Sequence, residues 1–286
     1  MSEKYENIGF KSTSDLLPNA KSNNNESEMS LQYRMARRFC DLYNSKVYSS
    51  PFVKCNKCNG SGKIAIVDEV YLNPVFVSCS CAKQRKCMDV LDSIGLAQFV
   101  VDMPSLEDLS CNEQWEKHCI GKMKDYLESE SQKYWFFIGG QVGSGKTTKG
   151  VIILKQLIER YEDKSFYYFN WDTKYKDLEF NNEEAKASLR NKLLESDILY
   201  IDDFYRHQDF NISDMERRLG KEIIEYRDRN NKQTIITSEL TLNEIIALDE
   251  STGSRIEKMC LKNKFTLNIG RDSNRNYRRR DSQDIL

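Results

Sequence analysis

Short apolar runs alternate with stretches of helical periodicity over the second half of the chain. The runs of four to six mostly apolar residues show little polar alternation, which is typical of strands buried on both faces of a parallel sheet. The predicted strands are Tyr134–Ile138, Ser165–Asn170, Ile198–Ile201, Thr234–Thr237 and Phe265–Ile269. The predicted helices are Gly145–Tyr161, Asn182–Glu195, Ser213–Arg229, Leu242–Leu248 and Ser254–Leu261. This alternation predicts an α/β domain built on a parallel sheet.

The first half of the chain has a different pattern. Residues 1–30 are polar with few apolar anchors, which predicts a flexible segment. Within 31–50, four apolar residues recur at helical spacing and predict an amphipathic helix, which either docks on its own domain or binds a partner; they are Leu31, Met35, Phe39 and Leu42. The remaining predicted segments are a cysteine unit and helix (51–96), a linker and helix (97–133), the α/β domain (134–271) and a basic tail (272–286).

Composition and charge limit the partners and the cellular compartment that we expect for this chain. The 286 residues carry a formal net charge of -1, so any contact with nucleic acid must come from a local patch. The mean hydropathy is -0.67, and the chain has neither an apolar stretch of membrane-spanning length nor a secretory signal. Nine cysteines, an odd number, suit a reducing cytosol and a metal site better than a disulfide framework. We therefore expect a cytoplasmic protein without a membrane partner.

A complete phosphate-binding motif follows the first predicted strand of the α/β domain. Gly140-Gln-Val-Gly-Ser-Gly-Lys-Thr147 matches G-x-x-x-x-G-K-[ST] in the required strand-loop-helix context. Loop amides and the helix N-terminus would cradle the phosphates of ATP, with Lys146 on the β- and γ-phosphates and Thr147 on Mg²⁺. The residues expected to hold the nucleotide are Gly140, Gly143, Ser144, Gly145, Lys146, Thr147, Thr148 and Asp202.

Two acidic residues end the strand Ile198–Ile201. In isolation they favour a turn cap, but beside a phosphate-binding loop we expect Asp202 to orient Mg²⁺ and Asp203 to polarise the attacking water. The strand Thr234–Thr237 should lie between the strands of the loop and of Asp202. At its end, Thr237 and Ser238 are predicted either to sense the γ-phosphate or to cap the next helix.

Two close cysteine pairs predict a structural metal site. Cys55 and Cys58 precede, and Cys79 and Cys81 follow, two apolar runs that suggest a hairpin around Asn73–Pro74. A hairpin returns its ends to one place, so the four thiolates could hold Zn²⁺ with no open position for water. Four unliganded thiols are the alternative, and Cys87 is close enough to substitute for a member of the second pair.

Several of these elements, taken in order, resemble a known family. They are the cysteine unit, the phosphate-binding loop, Ile198–Phe204, Tyr226-Arg-Asp-Arg-Asn-Asn-Lys-Gln-Thr-Ile-Ile-Thr-Ser238 and Gly253-Ser-Arg-Ile256. The chain is similar over about residues 50–275 to the DnaC/DnaI helicase loaders, AAA+ ATPases that include phage-encoded versions. The resemblance implies an AAA+ core and ATP-controlled delivery of a replicative helicase onto single-stranded DNA.

The resemblance also implies roles for individual residues. Lys146 and Thr147 match the Walker A pair, and Asp202 and Asp203 match the Walker B acids. Arg255 matches the arginine finger offered to a neighbouring subunit's ATP, which implies an oligomer; a surface arginine is the alternative.

The chain departs from the family in two ways. Glu239 stands where the family usually has Asn, which predicts slow or absent hydrolysis unless Ser238 senses the phosphate. Only 16 residues follow Gly270, which is too few for a full helical lid, and Arg271 and Arg275 are the candidates to replace the lid's arginine.

Two patches are predicted to contact single-stranded DNA. One is the basic tail around Tyr277, for which a solvated terminus is the alternative. The other is the pair Lys174 and Lys176, beside Trp171 and Tyr175. Two other functions stay open: an IstB-like transposition ATPase, and a nucleotide-gated adaptor that does not hydrolyse ATP.

Overall fold

The computed structural model describes residues 31–47, 54–101, 103–109, 111–129, 133–177, 182–206 and 212–280. The predicted flexible segment 1–30 and the end of the basic tail, 281–286, lie outside these ranges. The chain divides into two compact units, one up to Met88 and one from Asp89 onward, and each is described by itself. Among the described residues, no helix combines the length and the apolar character that a membrane span requires.

An antiparallel hairpin forms the centre of the first unit. Strand β1 (Lys63–Val67) pairs with β2 (Pro74–Ser78), which confirms the hairpin expected from the sequence. Helix α1 (Leu31–Ser45) packs on it through Asn44, whose side chain donates to the Ala65 carbonyl and accepts from the Ala65 amide, both at 2.9 Å. The predicted apolar face of α1 stays exposed; its members are Leu31 (66% exposed), Met35 (65%), Phe39 (48%) and Leu42 (59%).

A five-stranded parallel sheet forms the centre of the second unit. Its strands are β3 (Phe136–Gly140), β4 (Phe166–Asn170), β5 (Ile198–Asp202), β6 (Gln233–Ser238) and β7 (Thr266–Ile269). Their order across the sheet is β4-β5-β6-β3-β7. Strand β6 therefore lies between the strand of the phosphate-binding loop and the strand of Asp202, as the sequence predicted.

Helices follow the strands in the order of an α/β fold. Helix α2 (Ala82–Ser93) begins in the first unit and ends in the second. The others are α3 (Ala97–Val101), α4 (Gln114–Glu128), α5 (Lys146–Arg160), α6 (Trp171–Lys174), α7 (Glu183–Glu195), α8 (Asp214–Arg229), α9 (Leu242–Leu248), α10 (Glu250–Met259) and, after a 3-10 turn at Ser273–Arg275, α11 (Tyr277–Arg280). Every residue of β3, β5 and β6 is buried, which confirms the prediction of doubly covered strands for these three. The prediction was wrong for β4, which lies at the edge of the sheet and buries only Phe169.

Some predicted boundaries were wrong. Strand β3 begins at Phe136 and ends at Gly140, two residues later at each end than predicted. Helix α10 begins at Glu250 rather than Ser254, because Asp249 caps it by accepting from the Thr252 amide at 3.2 Å and from the Thr252 hydroxyl at 2.6 Å. The segment predicted to be a linker contains the short helix α3, whose Ala97 and Val100 are buried. Between β7 and Arg280, the last described residue, the chain forms only a 3-10 turn and α11.

Arg227, on α8, is fully buried and connects the start of the sheet to the end of α7. Its guanidinium donates to a set of acceptors from three elements: Leu193 O (3.1 Å), Leu194 O (3.2 Å), Ser196 O (2.8 Å), Asp197 O (3.4 Å), Gln233 O (2.6 Å) and Thr234 Oγ1 (2.9 Å). The carbonyls at the C-terminal end of α7 have no partner within their own helix. Arg227 therefore satisfies polar groups that the fold would otherwise bury unpaired.

Candidate functional site

The loop between β3 and α5 has the backbone shape that the glycine-rich motif predicts. Gly140 has a φ of 104°, and a Cβ there would lie 2.1 Å from the carbonyl oxygen of Ile269. Gly145, with a φ of 71°, turns the chain so that α5 begins at Lys146. Only glycine adopts both conformations without strain, so the loop approaches its neighbours more closely than side chains would allow.

Lys146 lies folded back on the loop. Its Nζ donates to the carbonyls of Gly140 at 3.0 Å and Gln141 at 2.8 Å, and the residue is 7% exposed. Burial lowers the pKa of Lys146 to about 8, against the opposing effect of the Glu239 and Asp203 carboxylates. The ammonium group is thus poorly solvated, and a phosphate anion at the loop would stabilise its charged form.

Four hydroxyl groups surround the buried carboxylate of Asp202. Thr147 donates to Oδ1 at 3.1 Å and Tyr200 donates to Oδ1 at 2.9 Å. Tyr168 donates to Oδ2 at 3.1 Å, and Thr237 makes a short hydrogen bond to Oδ1. Asp202 and Thr147, the two predicted magnesium ligands, are therefore in direct contact across β5 and α5. Hydroxyl and carboxylate oxygens are the ligand types that Mg²⁺ prefers, so the donor set fits that ion.

Asp203 follows in a left-handed conformation, with a φ of 56°. Its Oδ2 accepts from Arg206 Nη1 at 2.9 Å, and Arg206 Nε lies 3.3 Å from Oε1 of Glu239. Burial raises the pKa of Asp203, the neighbouring Asp202 adds to the rise, and Arg206 opposes it. The predicted water-polarising acid is therefore joined through one arginine to the unexpected Glu239.

The two residues predicted as phosphate sensors have different environments. The Thr237 hydroxyl donates to Asp202 and accepts from the Asp203 amide at 3.2 Å. The Ser238 hydroxyl is fully buried, donates to the Phe204 carbonyl at 2.6 Å and accepts from the Leu240 amide at 3.0 Å. Thr237 thus contacts the acidic centre, which is formed by Asp202 and Asp203. Ser238 instead connects the backbone at Phe204 to the backbone at Leu240.

The segment after β7 returns to the phosphate-binding loop. The Tyr277 amide donates to the Gly143 carbonyl at 3.0 Å, and its hydroxyl donates to Glu116 at 2.8 Å. The ring of Tyr277 lies 5.8 Å from that of Trp115, with Lys149 Nζ 5.5 Å from its centre. Tyr277 is therefore packed within its own unit, so the predicted solvated terminus is wrong for this residue.

The second predicted DNA patch is also partly internal. Trp171 is fully buried, and its indole donates to Glu216 at 3.2 Å. Lys174 and Lys176 lie near the surface, each with its ammonium 5.8 Å from a ring centre, those of Tyr168 and Tyr175 respectively. The tryptophan belongs to the core and is unavailable for stacking on a base.

Arg255 lies on α10, and its guanidinium contacts residues of its own chain. Its Nη2 pairs with Glu225 at 2.9 Å and its Nη1 donates to the Ser251 carbonyl at 2.7 Å. The side chain keeps 30% of its surface exposed. Its predicted finger role concerns a neighbouring subunit and stays a prediction.

The four predicted cysteine ligands converge in the first unit, where each offers a sulfur within 4.8 Å of the others; they are Cys55, Cys58, Cys79 and Cys81. The Sγ atoms of Cys58 and Cys81 are 3.4 Å apart, and those of Cys55 and Cys79 are 3.7 Å apart. Zinc–sulfur bonds of about 2.3 Å at tetrahedral angles require sulfurs roughly 3.8 Å apart. The cluster therefore fits a tetrahedral metal ion.

The sequence did not reveal three side chains that shape the acidic centre. Tyr200 and Asp202 share one face of β5 because they are two residues apart, a signal that was available. Tyr168 reaches Asp202 because it is the register partner of Tyr200 on β4, and the pairing of β4 with β5 is a property of the fold. Arg206 lies in a turn after β5, where no periodicity applies.

A glycine in the middle of α5 accommodates this arrangement. A Cβ on Gly150 would lie 2.5 Å from the hydroxyl oxygen of Tyr200. Glycine inside a helix costs about 1 kcal/mol relative to alanine. A glycine is needed at position 150 because the Tyr200 hydroxyl passes close to it on the way to Asp202.

Comparison with known proteins identifies the family of the NTPase region. The sequence model of the family described as Novel STAND NTPase 3 matches residues 116–286, which is more than half of the chain. The matched region includes the phosphate-binding loop, Asp202, Asp203 and the segment around Tyr277.

Two relatives come from Bacillus subtilis strain 168. The uncharacterized protein YqaM is 36% identical over 202 residues, which are 64% of this chain and 60% of YqaM. XkdC, a protein of the phage-like element PBSX, is 25% identical over 201 residues, which are 65% of this chain and 72% of XkdC. The alignment thus spans less than two thirds of the length of YqaM.

Solved structures of replication proteins show a weaker likeness. A structure of DnaI has a TM-score of 0.47 and 18% identity, and covers 61% of this chain and 94% of that one. A structure of the DnaC helicase loader has a TM-score of 0.45 and 21% identity, and covers 59% and 96%. The nucleotide site rests on the family match and on its own geometry rather than on these likenesses.

Proposed function

The chain belongs to the Novel STAND NTPase 3 family, and from this premise we propose that it is an ATP-dependent loader that delivers a replicative hexameric helicase onto single-stranded DNA. The observation that carries the nucleotide half of the proposal is the contact between Thr147 and Asp202 at 3.1 Å, directly beside Lys146. A lysine, a hydroxyl and a carboxylate at the mouth of a glycine-rich loop are the groups that a magnesium-bound triphosphate requires.

The residues act on ATP in the following way. The amides of the loop from Gly140 to Thr148, together with Lys146, bind the phosphates. Thr147 and Asp202 would hold Mg²⁺, which neutralises phosphate charge when it is bound. The water oxygen forms a bond to the γ-phosphorus while the bond from the γ-phosphorus to its bridging oxygen breaks, so that ADP leaves with the electron pair of that bond and Asp203 accepts the proton that the water loses. Ser238 supports this arrangement by fixing the backbone after β5.

Hydrolysis is expected to be slow in the isolated chain. The acidic Glu239 lies at the same edge of the sheet and is paired with Arg206, so the charge of this arginine is occupied by a carboxylate and does not add to the stabilisation of the γ-phosphate. Arg255, offered to the ATP of a neighbouring subunit, would add a cation only in an oligomer. We therefore propose turnover that depends on self-assembly or on DNA. The competing proposal, a nucleotide-gated adaptor without hydrolysis, is favoured by the same carboxylate.

The loader half of the proposal is supported by the order of motifs along the chain and by the first unit. A cysteine cluster precedes the NTPase region, and α1 exposes an apolar face with Arg34 and Arg38 beside it. We propose that residues 31–50 bind the helicase and that zinc holds the hairpin that supports them. XkdC belongs to a phage-like element, which favours a phage setting for this chain as well. The lysines Lys174 and Lys176 remain the proposed single-strand contact.

The full-length protein, with the replicative helicase of its native host, tests the proposal. Co-purification with the helicase is expected, as is ATP-stimulated binding to single-stranded DNA that exceeds binding to duplex at a stated salt concentration. The double substitution Met35→Glu and Leu42→Glu, on exposed positions of α1, should abolish helicase capture and leave ATP binding intact. Lys146→Ala should abolish ATP binding and leave the fold intact. If the full-length protein captures no helicase, the loader assignment fails while the NTPase assignment stands.

A further inference from the structure

An arginine that no sequence motif marked lies among the carboxylates of the nucleotide site. Arg206 Nη1 is 2.9 Å from Oδ2 of Asp203, and its Nε is 3.3 Å from Oε1 of Glu239. A third carboxylate, that of Asp172, is 3.7 Å from Nη1. The guanidinium therefore bridges the ends of β5 and β6, the two strands that carry the acidic residues.

The charges around Lys146 show why such a bridge matters. Asp202, Asp203 and Glu239 each act on Lys146 electrostatically, and the Glu239 carboxylate does so most strongly of the three. Without Arg206, one ammonium would face three carboxylates at the mouth of the loop. A nucleoside triphosphate brings more negative charge to that point, and its γ-phosphate is the part that extends furthest from the loop.

The bridge also fits the shape of guanidinium. A planar fork contacts two carboxylates at once and keeps each in a fixed orientation, which a lysine ammonium does less well. The Asp203 amide donates to the Thr237 hydroxyl at 3.2 Å, and Glu239 follows directly on the buried Ser238. Each carboxylate thus follows directly on its own strand, and Arg206 forms an ion pair with both of them.

We propose that Arg206 is a positioning and charge-compensating residue of the nucleotide site, which holds Asp203 in place and neutralises Glu239 so that this carboxylate does not repel a triphosphate. The inference rests on ATP binding at the phosphate-binding loop. It accounts for a glutamate at a position where an anion would otherwise oppose the ligand.

The test compares Arg206→Gln, Glu239→Gln and the double variant in the full chain, with dissociation constants for fluorescent analogues of ATP and ADP in the presence of Mg²⁺. Arg206→Gln should weaken ATP binding about tenfold, since it removes one unit charge beside two carboxylates that are only 17% and 26% exposed. ADP should lose less than about threefold, because it lacks the γ-phosphate. The double variant should return to within about threefold of the wild type, since neither the arginine nor the charge it neutralises remains.

Two control variants show whether a loss of ATP affinity is specific to the charge of Arg206. Arg190, whose Nε pairs with Glu222 at 3.0 Å on the surface of α7 and α8, supplies the control Arg190→Gln, which should bind both nucleotides as the wild type does. Arg206→Lys keeps a charge and should lose less ATP affinity than Arg206→Gln. A double variant as weak as Arg206→Gln, or equal losses for ATP and ADP, would overturn the proposal. If the wild type itself binds no ATP, the proposed function fails instead.

Discussion

Lys146 should make ATP binding depend on pH in a defined direction. Burial holds its pKa at about 8 in the free protein, whereas bound phosphates stabilise the ammonium form and raise that pKa. Binding therefore takes up a proton when the pH exceeds the free pKa. The affinity is fully present below that pH and is lost as the pH rises through it, because a growing fraction of free chains must be protonated before they bind.

The size of the effect follows from the same value. With a pKa of about 8, roughly 3% of free chains carry a charged Lys146 at a pH of about 9.5. The apparent dissociation constant should therefore rise about thirtyfold between pH values of about 7 and 9.5. At a pH of about 9 the slope approaches one proton taken up for each ATP bound.

Isothermal titration calorimetry in two buffers of different ionisation enthalpy measures this proton uptake directly. Lys146→Arg provides the first control, since guanidinium stays charged throughout the range and its binding should be nearly independent of pH. Lys149 needs a second control, because burial also lowers the pKa of its ammonium, 2.7 Å from the Ser144 carbonyl. Lys149→Arg should keep the pH dependence of the wild type. A wild-type protein with no more proton uptake than Lys146→Arg would refute the reasoning.

Three further outcomes are expected. Arg227→Met should lower the free energy of unfolding of the second unit by about 3–5 kcal/mol, because several buried carbonyls lose a charged donor. Denaturation followed by tryptophan fluorescence reports on that unit, since all three tryptophans follow Asp89, and the exposed Arg218→Met on the same helix should stay within about 0.5 kcal/mol of the wild type. Tyr200→Phe should raise the Mg²⁺ concentration needed for half-maximal stabilisation of bound nucleotide about tenfold, and it should not change nucleotide binding in the absence of Mg²⁺. An equal loss of nucleotide affinity with and without Mg²⁺ would contradict a role of Tyr200 at Asp202. Cys58→Ser should eliminate the bound zinc seen by elemental analysis, whereas Cys87→Ser should retain one ion per chain; loss of zinc in both would mean that the ligand set is different.

The sequence predicted the parts of the site that depend on local chemistry. A glycine-rich loop needs left-handed backbone at defined positions, and Gly140 and Gly145 adopt it. Strand ends in a parallel sheet meet at one edge, so Asp202 was expected beside Thr147, where the structure has it. The hairpin that joins the two cysteine pairs followed from apolar runs on either side of a proline turn.

The sequence misjudged the segments whose surroundings are distant in the chain. Trp171 and Tyr277 were assigned to exposed patches because their neighbours are basic, yet both pack against residues more than forty positions away, Glu216 and Glu116. The start of α10 was placed late because the cap comes from Asp249, at the end of the preceding helix. Neither type of contact leaves a periodic signal.

By itself, the sequence determined the alternation of strands and helices, the phosphate-binding loop and the cysteine pairs, because each depends on residues within a few positions of one another. Tertiary structure alone decided that Tyr168 on β4 and Thr237 on β6 reach the same carboxylate as Tyr200, and that Arg206 joins Asp203 to Glu239. The physical reason is that strand order and register fix which side chains become neighbours across a sheet. Strand order and register depend on the packing of the whole domain rather than on any local stretch of chain.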